Sequence, residues 1–194
     1  MILRRHWFPK SYADLAARLR VTAGFAMAVA FGLLSHPTAR SLEIGLPISL
    51  CGLALRAWAA GHLAKDRRLA VSGPYAFTRN PLYLGTLIAA LGFAVAGHSI
   101  VLAILFTVLF AVIYLPAIEL EEQHLIEILM GYSAYASRVP LLLPRWPEGL
   151  GQNHFSVELY KKNREYQAAI GWVVAAAWLI GCLALGWRPV ISGI

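Results

Sequence analysis

LAVSGPYAFTRNPLYLG, residues 69–85, is a polar, turn-rich and basic stretch in a chain that is otherwise mostly apolar. It lies between two hydrophobic runs, each long enough to cross a bilayer. Gly73-Pro74 and Asn80-Pro81 are turn signals seven residues apart, so the backbone must fold back on itself and leave N–H and C=O groups free for a ligand. An ordinary loop between two spans is the plainer reading. A second stretch answers it: in Glu119 to Pro144, ELEEQHLIEILMGYSAYASRVPLLLP, a carboxylate cluster leaves the end of an apolar helix and a segment holding Tyr, Arg and Pro follows.

With 59% hydrophobic and 14% charged residues among 194, the chain carries more apolar side chain than a soluble domain of this size can bury. An all-α integral membrane protein is expected. The 17 Lys and Arg against 10 Asp and Glu point to topology and anionic lipid, and with no separate basic tail they do not point to nucleic acid. Cys51 and Cys182 each sit inside an apolar run, in neither a CxxC nor a metal-ligand arrangement, so neither a disulfide nor a metal is expected. Residues 1–20 are basic, but the apolar run after them lacks a small-residue cleavage site, so they read as the start of a retained first span.

Five transmembrane helices are expected, at about 14–34, 43–63, 82–96, 100–118 and 168–187, in a single membrane domain. Val21 to Leu34 alone is too short to cross, so the first helix should begin near Asp14 with its arginines snorkelling to the headgroups. Pro47 then falls in the first turns of the second helix, where a missing N–H costs little. Gly97-His98-Ser99 allows only a tight turn, which makes spans three and four a hairpin. Pro116 predicts a kink that aims Glu119, Glu121 and Glu122 back towards the first polar loop. The last element should start near His154 and run through Lys161, Lys162 and Arg164 into the final span, with Trp187 and Arg188 as anchors at its far end.

Lys and Arg number five in the N-terminal segment, four between spans two and three and five between spans four and five, against one each in segments 35–42 and 188–194. The N-terminus and both polar stretches are therefore expected in the cytoplasm and the C-terminus on the opposite side.

These two stretches resemble the membrane methyltransferases that include isoprenylcysteine carboxyl methyltransferase and the phospholipid N-methyltransferases. The matching residues are Leu69, Ser72, Gly73, Tyr75, Arg79, Pro81, Tyr83 and Gly85, then Glu121, Glu122, Leu125, Tyr135, Val139 and Pro140. The resemblance implies a cytoplasmic pocket for S-adenosyl-L-methionine, formed by loops 62–85 and 119–145. It implies cofactor contacts at Leu69, Ala70, Tyr75, Asn80, Pro81, Tyr83, Glu121, Glu122 and Tyr135, with Arg79 and Glu122 as the catalytic candidates. Arg79 either grips a carboxylate or acidic headgroup or fixes the loop by pairing with the glutamates. Leu141 to Leu143 either line an adenine pocket or lie on the membrane. Asn80 stands where the family has histidine; its amide forms hydrogen bonds but does not titrate, which excludes a general base there.

The acceptor implied is a lipid or lipidated molecule reaching the site sideways from the bilayer, either a phospholipid amine or a prenylcysteine-like carboxylate. A carboxylate needs a cationic clamp, whereas a lipid amine must lose a proton. Residues 114–118 hold no basic side chain. Arg56 and Arg164 are the substrate candidates, the first against a snorkelling or packing role and the second against an ordinary basic flank. A non-catalytic carrier or assembly protein that retains the fold is the alternative, and Asn80 is the feature that favours it.

Overall fold

Apolar runs with no water to bond their backbone must satisfy every N–H and C=O internally, and a helix does so within one segment. The computed structural model describes residues 7–64, 68–147, 149 and 153–186, and among them there is no strand. Eight α-helices are described: α1 (Lys10–Leu34), α2 (Ala39–Ala60), α3 (Pro81–Ala96), α4 (Ile100–Leu109), α5 (Leu115–Ile128), α6 (Tyr132–Ala136), α7 (Val157–Lys162) and α8 (Tyr166–Ala184). A π-helical turn, Phe110–Tyr114, joins α4 to α5 without a break. By length and composition, α1, α2, the joined α4–α5 rod and α8 can each cross a membrane. Helix α3 is apolar but shorter, at 16 residues.

At the centre, α2 and α3 pack backbone against backbone. Gly45 and Gly52 lie seven apart on α2, and Gly85 and Gly92 lie seven apart on α3, so each pair occupies one helix face. A Cβ on Gly45 would come within 2.2 Å of the Ala96 nitrogen, and one on Gly52 within 2.4 Å of the Ala89 nitrogen. From the other side, a Cβ on Gly92 would come within 2.3 Å of the Ser49 nitrogen, and one on Gly85 within 2.7 Å of the Gly52 carbonyl. Only hydrogen fits at these four positions, as at small-residue crossings of membrane helices generally. The Ser41 hydroxyl adds a bond to the Ala96 carbonyl, 2.8 Å, and Trp172 Nε1 ties α8 to the Ser49 hydroxyl of α2, 3.0 Å.

Several boundaries differ from the sequence expectation for local reasons. Helix α1 starts at Lys10 rather than Asp14, and the exposed Arg20 donates from its guanidinium to the Tyr83 hydroxyl, 2.9 Å. Helix α2 starts at Ala39 because Thr38 and Ser41 form a reciprocal capping box, which leaves Pro47 inside the helix rather than in its first turns. Span four does not end at residue 118 but continues as α5 to Ile128. The Val112 carbonyl, four residues before Pro116 and lacking its N–H, accepts instead from the Tyr12 hydroxyl, 2.7 Å. The last element is two helices, parted at Asn163, whose amide donates to the carbonyls of Ala60 and Leu63 beyond the end of α2, both at 2.9 Å. Arg4 and Arg5 of the N-terminal cluster, residues 65–67 of the first loop, and Trp187 and Arg188 lie outside the described residues.

Gly52→Ala and Gly92→Ala should each destabilise the fold by about 1–3 kcal/mol through overpacking. Gly171→Ala, whose Cβ would meet nothing within 4 Å, should leave stability unchanged or raised. Thermal unfolding of the three variants in one detergent checks the ranking.

Candidate functional site

The chain between α2 and α3 makes two turns, as its prolines dictate. Gly73 takes φ +58°, which favours glycine, and a Cβ there would also displace the His62 ring, 2.6 Å away. Pro74 then opens a 3₁₀ turn, Gly73–Ala76, and Pro81 opens α3, where its missing N–H is no loss.

This loop is fixed by the segment after α6, which supplies backbone acceptors. The Arg79 amide donates to the Pro140 carbonyl, 2.9 Å, and the Arg145 amide to the Phe77 carbonyl, 3.0 Å. The buried Thr78 hydroxyl is shared between the carbonyls of Leu141 and Leu142, and the Asn80 amide donates to Leu141 at 3.0 Å. Leu141 and Leu142 turn their side chains to the cluster of Phe106, Phe110 and Ile118, so they are not walls of the cleft described next. Tyr135 reaches across to the Tyr75 carbonyl with its hydroxyl, 2.7 Å.

Where the loop faces α5 and α6, a cleft opens. Leu69, Ala70, Tyr75, Asn80, Pro81 and Tyr83 line it from the loop and the start of α3, with Arg79 among them; Glu121 and Tyr135 line the far side. Glu122 does not line it but stands behind it, accepting from the Tyr132 hydroxyl at 3.1 Å and lying 3.2 Å from Arg79 Nε. That contact is close but misaligned, and Arg79 Nε is buried without a hydrogen-bond partner. Tyr83 donates its hydroxyl to Glu121 Oε2, 2.9 Å, while accepting from Arg20. Burial pushes the hydroxyls of Tyr75, Tyr132 and Tyr135 well above the ordinary tyrosine range, so at neutral pH all three are donors.

Glu119 does not share this face. On a helix of 3.6 residues per turn it points about 200° away from Glu121, and its carboxylate accepts from the amides of Trp7 and Phe8 ahead of α1. The two substrate candidates also lie elsewhere. Arg56 gives Nε and Nη2 to Glu165, at 2.6 and 3.0 Å, and Nη1 to Thr86 and the Leu82 carbonyl. Glu165 is only 7% exposed and Arg56 25%, so this partly buried pair joins α2 and α3 to the start of α8. Arg164 is exposed with φ +54° at the turn into α8 and does not line the cleft.

The sequence reading missed Arg68, Leu129 and Arg20 as neighbours of the cleft. Arg68 and Leu129 belong to no motif, and only the tertiary fold brings Arg20 to Tyr83. Tyr132 was legible as a tyrosine three residues before Tyr135, on the same helical face.

A cofactor with an ammonium, a carboxylate and an aromatic base fits this donor set. Glu121 offers an anion, Arg68 and Arg79 offer cations, and the tyrosines offer ring faces.

Residues 45–131 match the family model of the phospholipid methyltransferases, which bears out over that segment the resemblance read from the motifs. Over 142 residues the chain is 26% identical to the cobalt-zinc-cadmium resistance protein CzcN of Cupriavidus metallidurans, covering 70% of this chain and 62% of that protein. Over 93 residues it is 33% identical to the nickel-cobalt-cadmium resistance protein NccN of Alcaligenes xylosoxydans xylosoxydans, covering 46% of this chain and 43% of that protein. The chain thus spans less than two thirds of either relative. No solved structure matches it significantly.

Two outcomes follow from the geometry. Thr78→Val, which removes the donor shared by two carbonyls, should cost about 1–3 kcal/mol locally; hydrogen exchange should then quicken at the amides of Arg79 and Arg145 first. Arg56→Met leaves a buried carboxylate unpaired and should destabilise the whole protein by about 3–5 kcal/mol, while Arg56→Met with Glu165→Leu recovers much of the loss. Thermal melts of the single and double variants decide between this structural role and a substrate clamp.

Proposed function

We propose, with the match of residues 45–131 as premise, that this chain transfers a methyl group from S-adenosyl-L-methionine to a lipid or lipidated acceptor drawn from the bilayer. The observation that carries the reading is convergence: every residue that the resemblance assigned to the cofactor, apart from Glu122, lines one cleft. When bound, S-adenosylmethionine supplies an electrophilic methyl, whose bond electrons stay on sulfur as the acceptor's lone pair forms the new bond.

The protein's part is positioning and exclusion of water, since displacement at a methyl needs no covalent intermediate on the chain. Glu121 places a carboxylate in the cleft and Tyr83 fixes its orientation. Glu122, held by Tyr132, pairs with Arg79 and sets its position at the cleft. Asn80 orients the loop through Leu141 and takes no proton. An amine acceptor must shed a proton before it attacks, and Glu121 is the carboxylate in the cleft that can receive it. The free space in the cleft is about 80 Å³, below the roughly 300 Å³ at which small-molecule pockets begin. Cofactor binding therefore requires displacement of the non-helical wall made by Leu63, Ala64, Leu69 and Ala70.

In this reading α3 is the fifth span. It measures about 24 Å at 1.5 Å per residue, short of the roughly 30 Å core, and its glycine contact with α2 holds it in place. The cleft lies on the cytoplasmic side, as the Lys and Arg asymmetry supports, and the C-terminus on the other.

Asn80 in place of the family histidine favours a second reading, a non-catalytic membrane component that retains the fold. The relatives' names add metal resistance as its setting. Among the described residues no group of three or more His, Cys, Asp or Glu side chains could hold a metal ion.

Calorimetry in detergent separates the readings. S-adenosylmethionine should bind, and Glu122→Gln and Tyr83→Phe should each weaken it by about 1–3 kcal/mol with the fold intact. No binding at millimolar cofactor would overturn the enzyme reading, and unchanged affinity in both variants would misplace the cleft.

A further inference from the structure

Beside the cleft, on the other side of Tyr135, lies a cavity of about 340 Å³ that the proposed reaction does not use. Val71 and Ala76 of the loop line it, together with Arg138, Val139, Arg145 and Trp146 from the end of α6 onward. Tyr135 lines both spaces, and its hydroxyl bond to the Tyr75 carbonyl, 2.7 Å, ties the partition between them. Their charge differs. Glu121 gives the cleft an anion among its cations, whereas the described residues of this cavity include two arginines and no Asp or Glu; Glu148 lies outside the described residues. S-adenosylmethionine carries an ammonium and a sulfonium, which two guanidinium groups alone repel.

Backbone carbonyls hold both arginines. Arg138 Nε donates to the Ala134 carbonyl, 3.2 Å, and Arg145 Nη2 to the Arg138 carbonyl, 2.6 Å. A guanidinium has five N–H donors in a planar fork, so one such bond fixes the group and leaves donors for a second acceptor. Arg145 also anchors this segment to the loop through its amide, which donates to the Phe77 carbonyl, 3.0 Å. Two like charges at one cavity repel each other, and an anionic oxygen between them turns that repulsion into attraction.

The rings beside the arginines set the level of the cavity. Trp58 lies in the last turn of α2, a helix long and apolar enough to cross a membrane. Its ring packs on Phe77 with centroids 6.3 Å apart, and Phe77 packs on Trp146 at 5.7 Å. A line of three rings thus runs from the end of a spanning helix to the cavity. Trp146 is 86% exposed and Leu143 77%, which places large apolar side chains where tryptophan marks the boundary between hydrocarbon and headgroups. Basic pockets at that boundary meet lipid phosphates.

We infer that Arg138 and Arg145 form a binding site for the headgroup of an anionic phospholipid, with Trp146 beside it at the interface. The site stands on this cavity and its rings, independently of the methyltransferase reading. A guanidinium grips phosphate oxygens with two parallel bonds, so the arginine pair suits this headgroup. A zwitterionic headgroup brings a cation along with its phosphate, and the same two charges disfavour it.

The test is calorimetric titration of the full chain in a neutral detergent. The probes are dihexanoyl phosphatidylglycerol, dihexanoyl phosphatidylcholine, inorganic phosphate and a short polyglutamate peptide. Phosphatidylglycerol should bind saturably, about tenfold or more tightly than each of the others. Arg138→Gln, Arg145→Gln and Trp146→Ala should each weaken it about threefold to tenfold, and the double arginine variant should bring it to the phosphatidylcholine level. Arg145→Gln keeps the amide bond to Phe77, so the loop stays anchored. Arg164→Gln, at an exposed arginine that does not line the cavity, should leave the affinity unchanged. Undiminished binding in the double variant, or phosphatidylcholine matching phosphatidylglycerol, would overturn the site. Inorganic phosphate or the peptide matching the lipid would overturn the lipid as occupant. Displacement of phosphatidylglycerol by S-adenosylmethionine would give the cavity to the cofactor and overturn the proposal. Phosphatidylglycerol bound as expected by a chain that does not bind S-adenosylmethionine would support the lipid site and overturn the methyltransferase reading alone.

Discussion

The direct contact of the α2 and α3 backbones, at Gly45, Gly52, Gly85 and Gly92, is the constraint on which the remaining structure depends. In a hydrocarbon solvent helices gain little from burying apolar side chains against one another, so close approach and dispersion must supply the association. Once the two axes are locked, the loop between α2 and α3 has its ends fixed. Its two proline turns then present Tyr75, Arg79 and Asn80 towards α5 and α6.

A second consequence concerns charge. Arg56 is one turn beyond the last α2 glycine, where side chains of α3 crowd it, and a lone guanidinium there would be expensive. Glu165 compensates from the start of α8, and Thr86 and the Leu82 carbonyl take the remaining nitrogen. The pair specifies where α8 docks, and Asn163 reinforces the docking by donating its side-chain amide to the carbonyls of Ala60 and Leu63 at the end of α2. A charged residue within a span is more often functional than not, and here all three guanidinium nitrogens have partners within the protein.

The cleft itself is stabilised by side-chain donors serving backbone acceptors in irregular chain. With four bonds, Thr78, Asn80 and Tyr135 satisfy three carbonyls, those of Leu141, Leu142 and Tyr75, that lie outside any sheet or α-helix. This accounts for an amide at position 80: a donor to Leu141 is what the local backbone requires, and an amide provides it at every pH.

By itself the sequence determined that the chain is helical and apolar enough for a membrane, because length and hydropathy of each run are properties of contiguous residues. It also held most of the residues that line the cleft, since Leu69 to Tyr83 form one short stretch and Glu121 and Tyr135 lie on a second. The seven-residue glycine pairs stood in the sequence as well, though which helix they would face did not. Tertiary structure alone decided the partners of the charges: Arg20 joined Tyr83, Arg56 joined Glu165, and Glu119 turned from the cleft to the amides before α1. A long charged side chain makes no periodic mark of its contacts, and its partner, 63 or 109 residues away, is set by helix packing. The same holds for Pro116: the Val112 carbonyl that it leaves without an N–H partner found Tyr12 a hundred residues upstream, beside a π-helical turn in a continuous helix.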